Sequence, residues 1–512
     1  MIKLLTTDNT SLSNYLKQHI GRLLTIDIVL INTIEKKFFE NSIIFVSNLK
    51  ETQEKKIFEL SQKINFKVIY LGSFSNFFLE KFSFQKLKLL NKDKKKIYFN
   101  NLEKKEKYES FIKINYKKGK FYPNHNERYL LRYDFEDEWN NYGYGKITGK
   151  NDIWSVKSLI FCKNKKQNIG TIKINNKLIT FVSLHQLNKC CILFINRDVG
   201  IFDGFDVTII EKFISSYKNN LPNFPIVSEI PSSYSGLVTM RLDCDENIQS
   251  AKKINQLYNQ LKVPFSLAIL TSILTKADKN FLNSIIKKNG AILSHSHDHL
   301  VNFGDNDETC LLQINTSIKK LKKLDINIEF VVAPFHHTPH FAYSVLNDLK
   351  IKGLIGGINK NYPQDISFRS GFYSKEIKVL LNNQQCMMHG DIHPLSDKID
   401  NYKKSFLISY KNKRAFGYLD HPFSERYSYG WKNEKLRLKA HEKFLKFIKK
   451  KSNIIFLNQN DFMNFLYTRS QINIKADASH FKIKMKKFKK YFFSIIYKNK
   501  KFILNKDIKI NK

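Results

Sequence analysis

A chain of 512 residues that is 42% hydrophobic and 13% aromatic can bury a large core, which excludes wholesale disorder, and it is longer than one ordinary domain. Lys and Arg outnumber Asp and Glu by 86 to 46, a formal charge of +40 that would suit nucleic acid or an anionic membrane face. Lys, Asn and Ile are abundant throughout while Gly and Pro are scarce, however, so a uniform compositional bias accounts for much of that charge. No stretch approaches the roughly 18 apolar residues of a membrane span, and no signal-peptide pattern opens the chain. Cys162, Cys190, Cys191, Cys244, Cys310 and Cys386 form no CxxC and no spaced framework. A reducing, cytoplasmic location is the expectation.

In chain order, residues 42–49, 51–64 and 66–73 read as strand, amphipathic helix and strand, an α/β start. Between about 90 and 150 the periodicity gives way to a Lys-, Tyr- and Asn-rich insertion. Alternating runs at 169–174 and 177–184 flank Asn175-Asn176, a hairpin signal because Asn tolerates the left-handed turn. A strand at 190–196 and a helix at 207–218 close a first α/β domain of about 1–220, flavodoxin-like or amidotransferase-like in texture. It carries no Gly-rich phosphate loop or nucleophile elbow, and no chemistry is assigned to it. Three prolines and several serines at 220–236 predict a linker.

From there the alternation is regular. Strands at 237–243, 264–270, 291–296, 329–335 and 353–357 are separated by helices at 246–262, 277–290, 308–324 and 341–350; a strand at 415–422, a helix at 432–451 and a strand at 453–458 follow. Strands spaced by single helices imply parallel strands with right-handed crossovers, hence a (β/α) barrel or a doubly wound sheet. After about 470 comes a tail in which twelve of the last 31 residues are lysine. It predicts a solvated segment or a basic amphipathic helix touching anionic lipid.

Nine of the 14 histidines lie between His295 and His421, roughly a quarter of the chain. They follow predicted strands: His295, His297 and His299 after the third, His336, His337 and His340 after the fourth, and His421 after the strand at 415–422. In a parallel α/β domain the carboxyl ends of the strands open on one face, where such folds place their sites. Asp243 and Asp245 end the first strand and reach that face too. Imidazoles and carboxylates together suit a borderline metal such as zinc, with cobalt or nickel as alternatives and an open position for water. His295 and His299 share the ion if the chain turns helically after the strand, and one carboxylate from Asp243 or Asp245 completes the set. The other is then free to act as general base, and a histidine such as His421 protonates a leaving group. Asp245 also suits a helix cap, His389 and His393 are substitute acids, and His441, mid-helix, reads as surface or packing.

Residues of about 226–466 resemble the polysaccharide deacetylase family with the NodB homology domain, which implies a distorted (β/α) barrel that removes N-acetyl groups from sugars with a divalent metal. Asp243-Cys244-Asp245 is a spaced form of its first motif, implying Asp243 as base and Asp245 as ligand. His295-Ser296-His297-Asp298-His299 matches its second motif in full. Val332-Ala333-Pro334-Phe335 stands where Arg-x-Pro-aromatic is usual, implying substrate contacts at Pro334, Phe335 and His336. The arginine that normally holds the base is absent, and Arg241 or His336 is its candidate replacement. Leu419-Asp420-His421 fits the late Leu-x-His motif, implying His421 as acid, while the Asp-x-x-Asp-Trp motif has no counterpart. The resemblance implies an N-acetylated saccharide substrate, in surface-polysaccharide assembly if the chain stays in the cell.

Rival readings fit less well. A metallo-β-lactamase ligand run is one residue too long for 295–299, and an amidohydrolase would carry its His-x-His on the first strand. The all-β folds of two-histidine iron oxygenases conflict with the helices. A degenerate sugar-binding domain is the alternative within the same fold. A nucleic-acid binder lacks any recognition motif beyond charge, so no specific nucleic-acid partner is expected.

Overall fold

The computed structural model describes residues 1–6, 10–26, 28–91, 113–119, 127–129, 156–202, 206–356, 372–373, 378–382, 387–389, 399–424, 428, 431–485 and 490–512. The first 220 residues are built on a nine-stranded sheet among these residues. Its order is Val29–Ile31, Ile2–Leu5, Ile43–Ser47, Phe66–Leu71, Cys190–Ile195, Lys177–Gln186, Asn168–Ile174, Lys113–Tyr116 and Glu127–Tyr129. The first five pair in parallel in the order 2-1-3-4-5 of doubly wound flavodoxin-like sheets. The third, fourth and fifth in that order are buried at every position, as strands covered on both faces must be. The remaining pairs are antiparallel. The hairpin at Asn175 is present, with Asn175 at φ 49°. Most of the expected insertion lies outside the described residues, and its two described strands extend the sheet edge.

The second sheet carries the site. In chain order its strands are β1 (Gly236–Cys244), β2 (Ser266–Ile269), β3 (Ala291–Ser294), β4 (Phe330–Val332), β5 (Gly353–Ile355), β6 (Phe372–Tyr373), β7 (Leu380–Asn382), β8 (Met387–His389), β9 (Ala415–Asp420) and β10 (Ile454–Leu457). The spatial order is β6-β7-β5-β4-β3-β2-β1-β9-β8, and every pair except β6·β7 is parallel. β1 pairs with β9 along one edge. On the other it pairs with β10 at its start and β2 at its end. The helices between are α1 (Lys252–Gln260), α2 (Lys279–Lys287), α3 (Asp307–Lys322), α4 (Phe341–Asp348), α5 (Asp400–Lys411), α6 (Glu434–Lys449) and α7 (Gln459–Ser470). This is the distorted (β/α) barrel expected, preceded by a smaller α/β region.

Period-two alternation decides which side chains serve which layer. Val238, Met240, Leu242 and Cys244 of β1 pack in the outer core, with Tyr258 of α1 and Phe444 and Leu445 of α6. Leu237 faces the other way, into a core shared with Ala268, Leu293, Val332 and Ile355 of β2 to β5 and with Met463 and Leu466 of α7. α7 thus covers the inner face, fixed by Thr239 on Gln459 (3.1 Å) and by the Gln459 amide on Ser266 Oγ (2.9 Å). After α2 the left-handed residue is Asn289 (φ 62°), not the glycine that follows. A Cβ on Gly290 would lie 2.5 Å from the Phe265 carbonyl, so that glycine serves close packing.

Two sequence expectations are overturned. The Pro/Ser segment at 220–236 is no free linker. Leu221, Phe224, Ile226, Val227 and Ile230 are buried, and Arg469 of α7 donates to the carbonyls of Val227 (3.0 Å) and Ser228 (3.2 Å). The described residues of the lysine-rich end form neither a solvated tail nor a helix; they make strands. Phe493–Tyr497 pairs with Ile226–Val227 and Lys500–Leu504, and His480–Lys484 pairs with Asn473–Ala476 and Ile508–Asn511. Strand alternation lets lysines take the outer face while Phe481, Ile483, Phe493, Ile495, Leu504 and Ile510 enter the core that begins at Ile2. No helix among the described residues is long and apolar enough to cross a membrane.

Two predictions follow from this packing. A chain ending at Ala476 loses those six side chains, each contributing about 1.5–3 kcal/mol, an amount comparable with the roughly 5–15 kcal/mol that holds a domain folded. It should melt far below the full chain in calorimetry, or be insoluble. In the first sheet, His185 lies fully buried, 2.8 Å from Ser183 Oγ and stacked at 4.2 Å on Phe82; burial lowers its pKa from 6.5 to about 3. The unfolded chain therefore binds a proton below about pH 6.5 that the fold refuses, and this site's stabilisation, complete above that pH, is lost as the pH falls toward 3, on the order of 1 kcal/mol per pH unit. Denaturant titrations at pH 7 and 4.5 should show wild type losing stability relative to His185→Phe.

Candidate metal centre

The site begins with two residues of β1. Arg241 and Asp243 are two apart, so their side chains leave the strand on the same face. The guanidinium grips the carboxylate in a fork, Nε to Oδ1 at 2.7 Å and Nη2 to Oδ2 at 3.1 Å, and both side chains are buried. Of the two replacements for the missing motif arginine, Arg241 makes the contact; the side chain of His336 lies outside the described residues. Asp245 stands just past the strand end. The following short helix is capped by Asn247, whose side chain accepts from Gln249, so the cap expected of Asp245 is supplied by its neighbour.

β3 delivers the histidines. The His295 amide donates to the Ile269 carbonyl (2.8 Å), and its Nδ1 lies 3.1 Å from the Val332 carbonyl on β4. A carbonyl only accepts, so Nδ1 carries the proton and Nε2 presents its lone pair, the second-sphere arrangement usual for metal-binding imidazoles. The chain does not turn helically here, as the spacing suggested. It reverses through left-handed Ser296 (φ 67°) and His299 (φ 56°), with Ser296 Oγ accepting from the His299 amide (3.1 Å). The result is the same juxtaposition: His295 Nε2 and His299 Nε2 are 3.0 Å apart. The intervening residues turn away, His297 toward Thr271 Oγ1 (3.1 Å) and Asp298 onto Gln313 of α3 (2.8 Å). A ligand pair of the His-x-His kind, His295 with His297, is therefore not assembled.

Asp245 Oδ1 lies 3.5 Å from His295 Nε2 and 3.8 Å from His299 Nε2, and the three ligand atoms all fall within 4.8 Å of one another. Donors bonded at 2.0–2.2 Å around a tetrahedral ion stand about 3.3 Å apart, so these separations fit a divalent cation. Burial, and next the adjacent His295, lowers His299 to about 4, keeping it in the neutral form that ligates. Asp243 Oδ2 approaches to 3.9 Å of His295 Nε2, and His421 Nε2 to 3.6 Å of Asp245 Oδ2. The three-atom set is thus bordered by a carboxylate already held by arginine and by a further imidazole.

The loop after β4 supplies an apolar wall. Pro334 is buried in a short turn, and Phe335, at φ 52° and 46% exposed, sets its ring 4.5 Å from that of His299. A left-handed, exposed phenylalanine is a strained arrangement of the kind found at binding sites. His389 ends β8, paired with Leu419, but its side chain, like His393 altogether, lies outside the described residues. What sequence reasoning missed is behind His421: His441 is fully buried and bonded to Asp420 at 2.6 Å. The signal was present, since Arg437, His441, Phe444, Leu445 and Ile448 form one buried helical stripe.

Fold and geometry together define a (β/α) barrel with an Asp-His-His cluster at the carboxyl ends of its strands. No protein-family model matches this chain, and no curated protein matches it. Among solved structures it is similar to the peptidoglycan deacetylase PdaC from Bacillus subtilis (12% identity, covering 47% of this chain and 95% of that one, TM-score 0.32). It is also similar to a family 4 acetyl xylan esterase from Clostridium thermocellum in complex with a cobalt ion (10%, 44% and 90%, 0.32) and to Puue allantoinase (9%, 47% and 93%, 0.37).

The Arg241 fork has a measurable consequence. Arg241→Met leaves the Asp243 carboxylate buried without its cation, which costs about 3–5 kcal/mol. Denaturant unfolding should report a loss of that size, largely recovered in the double variant Arg241→Met/Asp243→Leu.

Proposed function

We propose that this chain is a metal-dependent hydrolase that removes N-acetyl groups from a sugar or saccharide intermediate of surface-polysaccharide synthesis. Asp245, His295 and His299 would hold the divalent ion, zinc or otherwise cobalt or nickel, which when bound polarises the acetyl carbonyl and acidifies water. Asp243, kept from ligation by its fork to Arg241, accepts the proton of the attacking water. His421, on the Asp245 side, gives a proton to the amine as the carbon–nitrogen bond breaks. Pro334 and Phe335 line the acetyl or sugar side, an aromatic face suiting the apolar face of a pyranose, and His336 belongs to the same loop. The observation that carries this assignment is the division of the two carboxylates. One stands 3.5 and 3.8 Å from two imidazole nitrogens, and the other is bidentate with an arginine.

Acetate release from N-acetylated amino-sugar oligomers, with Zn²⁺, Co²⁺ or Ni²⁺ supplied, tests it directly. His295→Ala and His299→Ala should lose bound metal and turnover together. Asp243→Asn should retain metal while turnover falls by roughly 10²–10⁴, as should His421→Ala. Metal loss from Asp243→Asn with retention in Asp245→Asn would reverse the two roles, and failure to bind any of these ions would end the proposal.

A further inference from the structure

His421 follows the last residue of β9, and alternation sends it and its predecessor to opposite sides of the sheet. Phe416 and Tyr418 point to the helix side, among the outer-core residues, and Asp420, in step with them, does the same. There its carboxylate is fully buried and meets α6 directly, and α1 through His441. From α6, His441 Nε2 lies 2.6 Å from Asp420 Oδ2, and Arg437 Nη2 lies 3.4 Å from Oδ1. From α1, the Tyr258 hydroxyl lies 3.0 Å from His441 Nδ1. Burial, and next Asp420, raises the Tyr258 phenol well above its usual range, so it stays protonated and donates to Nδ1. His441 Nε2 then carries the proton and donates to Asp420.

The other end of this chain of bonds is the backbone of His421. Its N–H donates to Asp420 Oδ1 at 2.8 Å, and its carbonyl accepts from Arg437 Nη1. Both main-chain groups of the residue are thus gripped by the same buried cluster, while its imidazole projects to the other side, 3.6 Å from Asp245. A charged carboxylate at a strand end, fully desolvated, is costly unless held. Hydrophobic residues of similar size would fill the space between β9 and α6 at least as stably, so the cost points to a specific use.

We propose that Asp420, with Arg437, His441 and Tyr258, forms a positioning cluster that fixes where the His421 imidazole stands relative to the Asp245-His295-His299 set. As a statement about turnover it rests on the acid role proposed for His421. As a statement about geometry it does not.

The test uses the full chain and two substrates that differ in their need for an acid. N,N′,N″-Triacetylchitotriose loses an amine, which must be protonated to leave; p-nitrophenyl acetate loses a phenolate that departs unaided. His441→Leu removes the donor to Asp420, whereas His441→Gln keeps an N–H there. Misplacement of a reacting group by about 1 Å costs about 10²-fold. His441→Leu should therefore lower kcat on the amide by about that factor, with KM, Zn²⁺ affinity and ester hydrolysis unchanged, and His441→Gln should restore most of it. Equal losses on both substrates, or none on either, overturn the proposal. Amide hydrogen exchange at His421 is read in the same variants. Its rate should rise at least about tenfold in His441→Leu while amides of β1 keep theirs, and an unchanged His421 amide also overturns it. If wild type cleaves no amide but the exchange rate responds, the deacetylase assignment falls and the cluster stands. Should His441→Leu fail to fold, Tyr258→Phe, which cuts only the outermost bond, carries the same measurements with a smaller change in the same direction.

Discussion

The buried ion pair between Arg241 and Asp243 is the constraint around which the site is arranged. A desolvated carboxylate must be paired, and the fork at 2.7 and 3.1 Å occupies both oxygens of Asp243. Asp245, one pleat further and at the mouth of the barrel, is left to face the two Nε2 atoms. The Asp-Cys-Asp spacing is thus no loose version of an adjacent pair. The intervening Cys244 points outward into the core with Leu242 and Ile248, and inserting it places both carboxylates inward at successive depths. Had the two aspartates been adjacent within the strand, alternation would have turned one of them to the helix side.

Much of this was legible in the residues because the physics is local and periodic. The strands β1 to β5, β9 and β10 were marked by apolar runs of the right length and the helices α1 to α4 and α6 by their stripes, whereas the short strands β6 to β8 and the helices α5 and α7 carried no such signal. The clustering of histidines after those runs followed from the parallel topology the alternation implied. What escaped depended on contacts between distant segments. Whether Arg241 or His336 held Asp243 turned on which side of β1 faced inward, a matter of register against β2 and β9. The helical stripe marked His441 as buried, but its partner, Asp420, came from β9, a distant segment. The link between His295 and His299 was anticipated, but through a helical turn, where the chain uses two left-handed residues and the Ser296 hydroxyl.

Composition misled most at the ends of segments. Prolines and serines at 220–236 suggested slack, yet the segment is laid against α7 and the strand Phe493–Tyr497. Lysines after 470 suggested solvent or lipid, yet alternate positions there are apolar and buried. In a chain this rich in lysine the outward face of any strand tends to be basic, so charge density says little about whether the inward face is packed. The same core that begins at Ile2 runs through the inner barrel face and the final strands. The amino-terminal sheet, the barrel and the carboxyl-terminal strands accordingly share one continuous apolar core. Arg414 strengthens the seam by joining the start of β9 to Glu211 and Glu229.

The source of the arginine also separates two jobs that a single loop would otherwise share. When the cation that pairs with a buried strand-end carboxylate comes from a neighbouring loop, every change in that loop risks displacing the carboxylate. Here the cation sits two residues upstream on the same strand, rigidly tied to its partner by the backbone. The loop bearing Pro334, Phe335 and His336 is thereby relieved of holding Asp243. It is free to diverge in length and side chain without disturbing the ion pair behind the Asp245-His295-His299 set, so the barrel becomes a chassis whose mouth can be rebuilt while its inner charges stay in place.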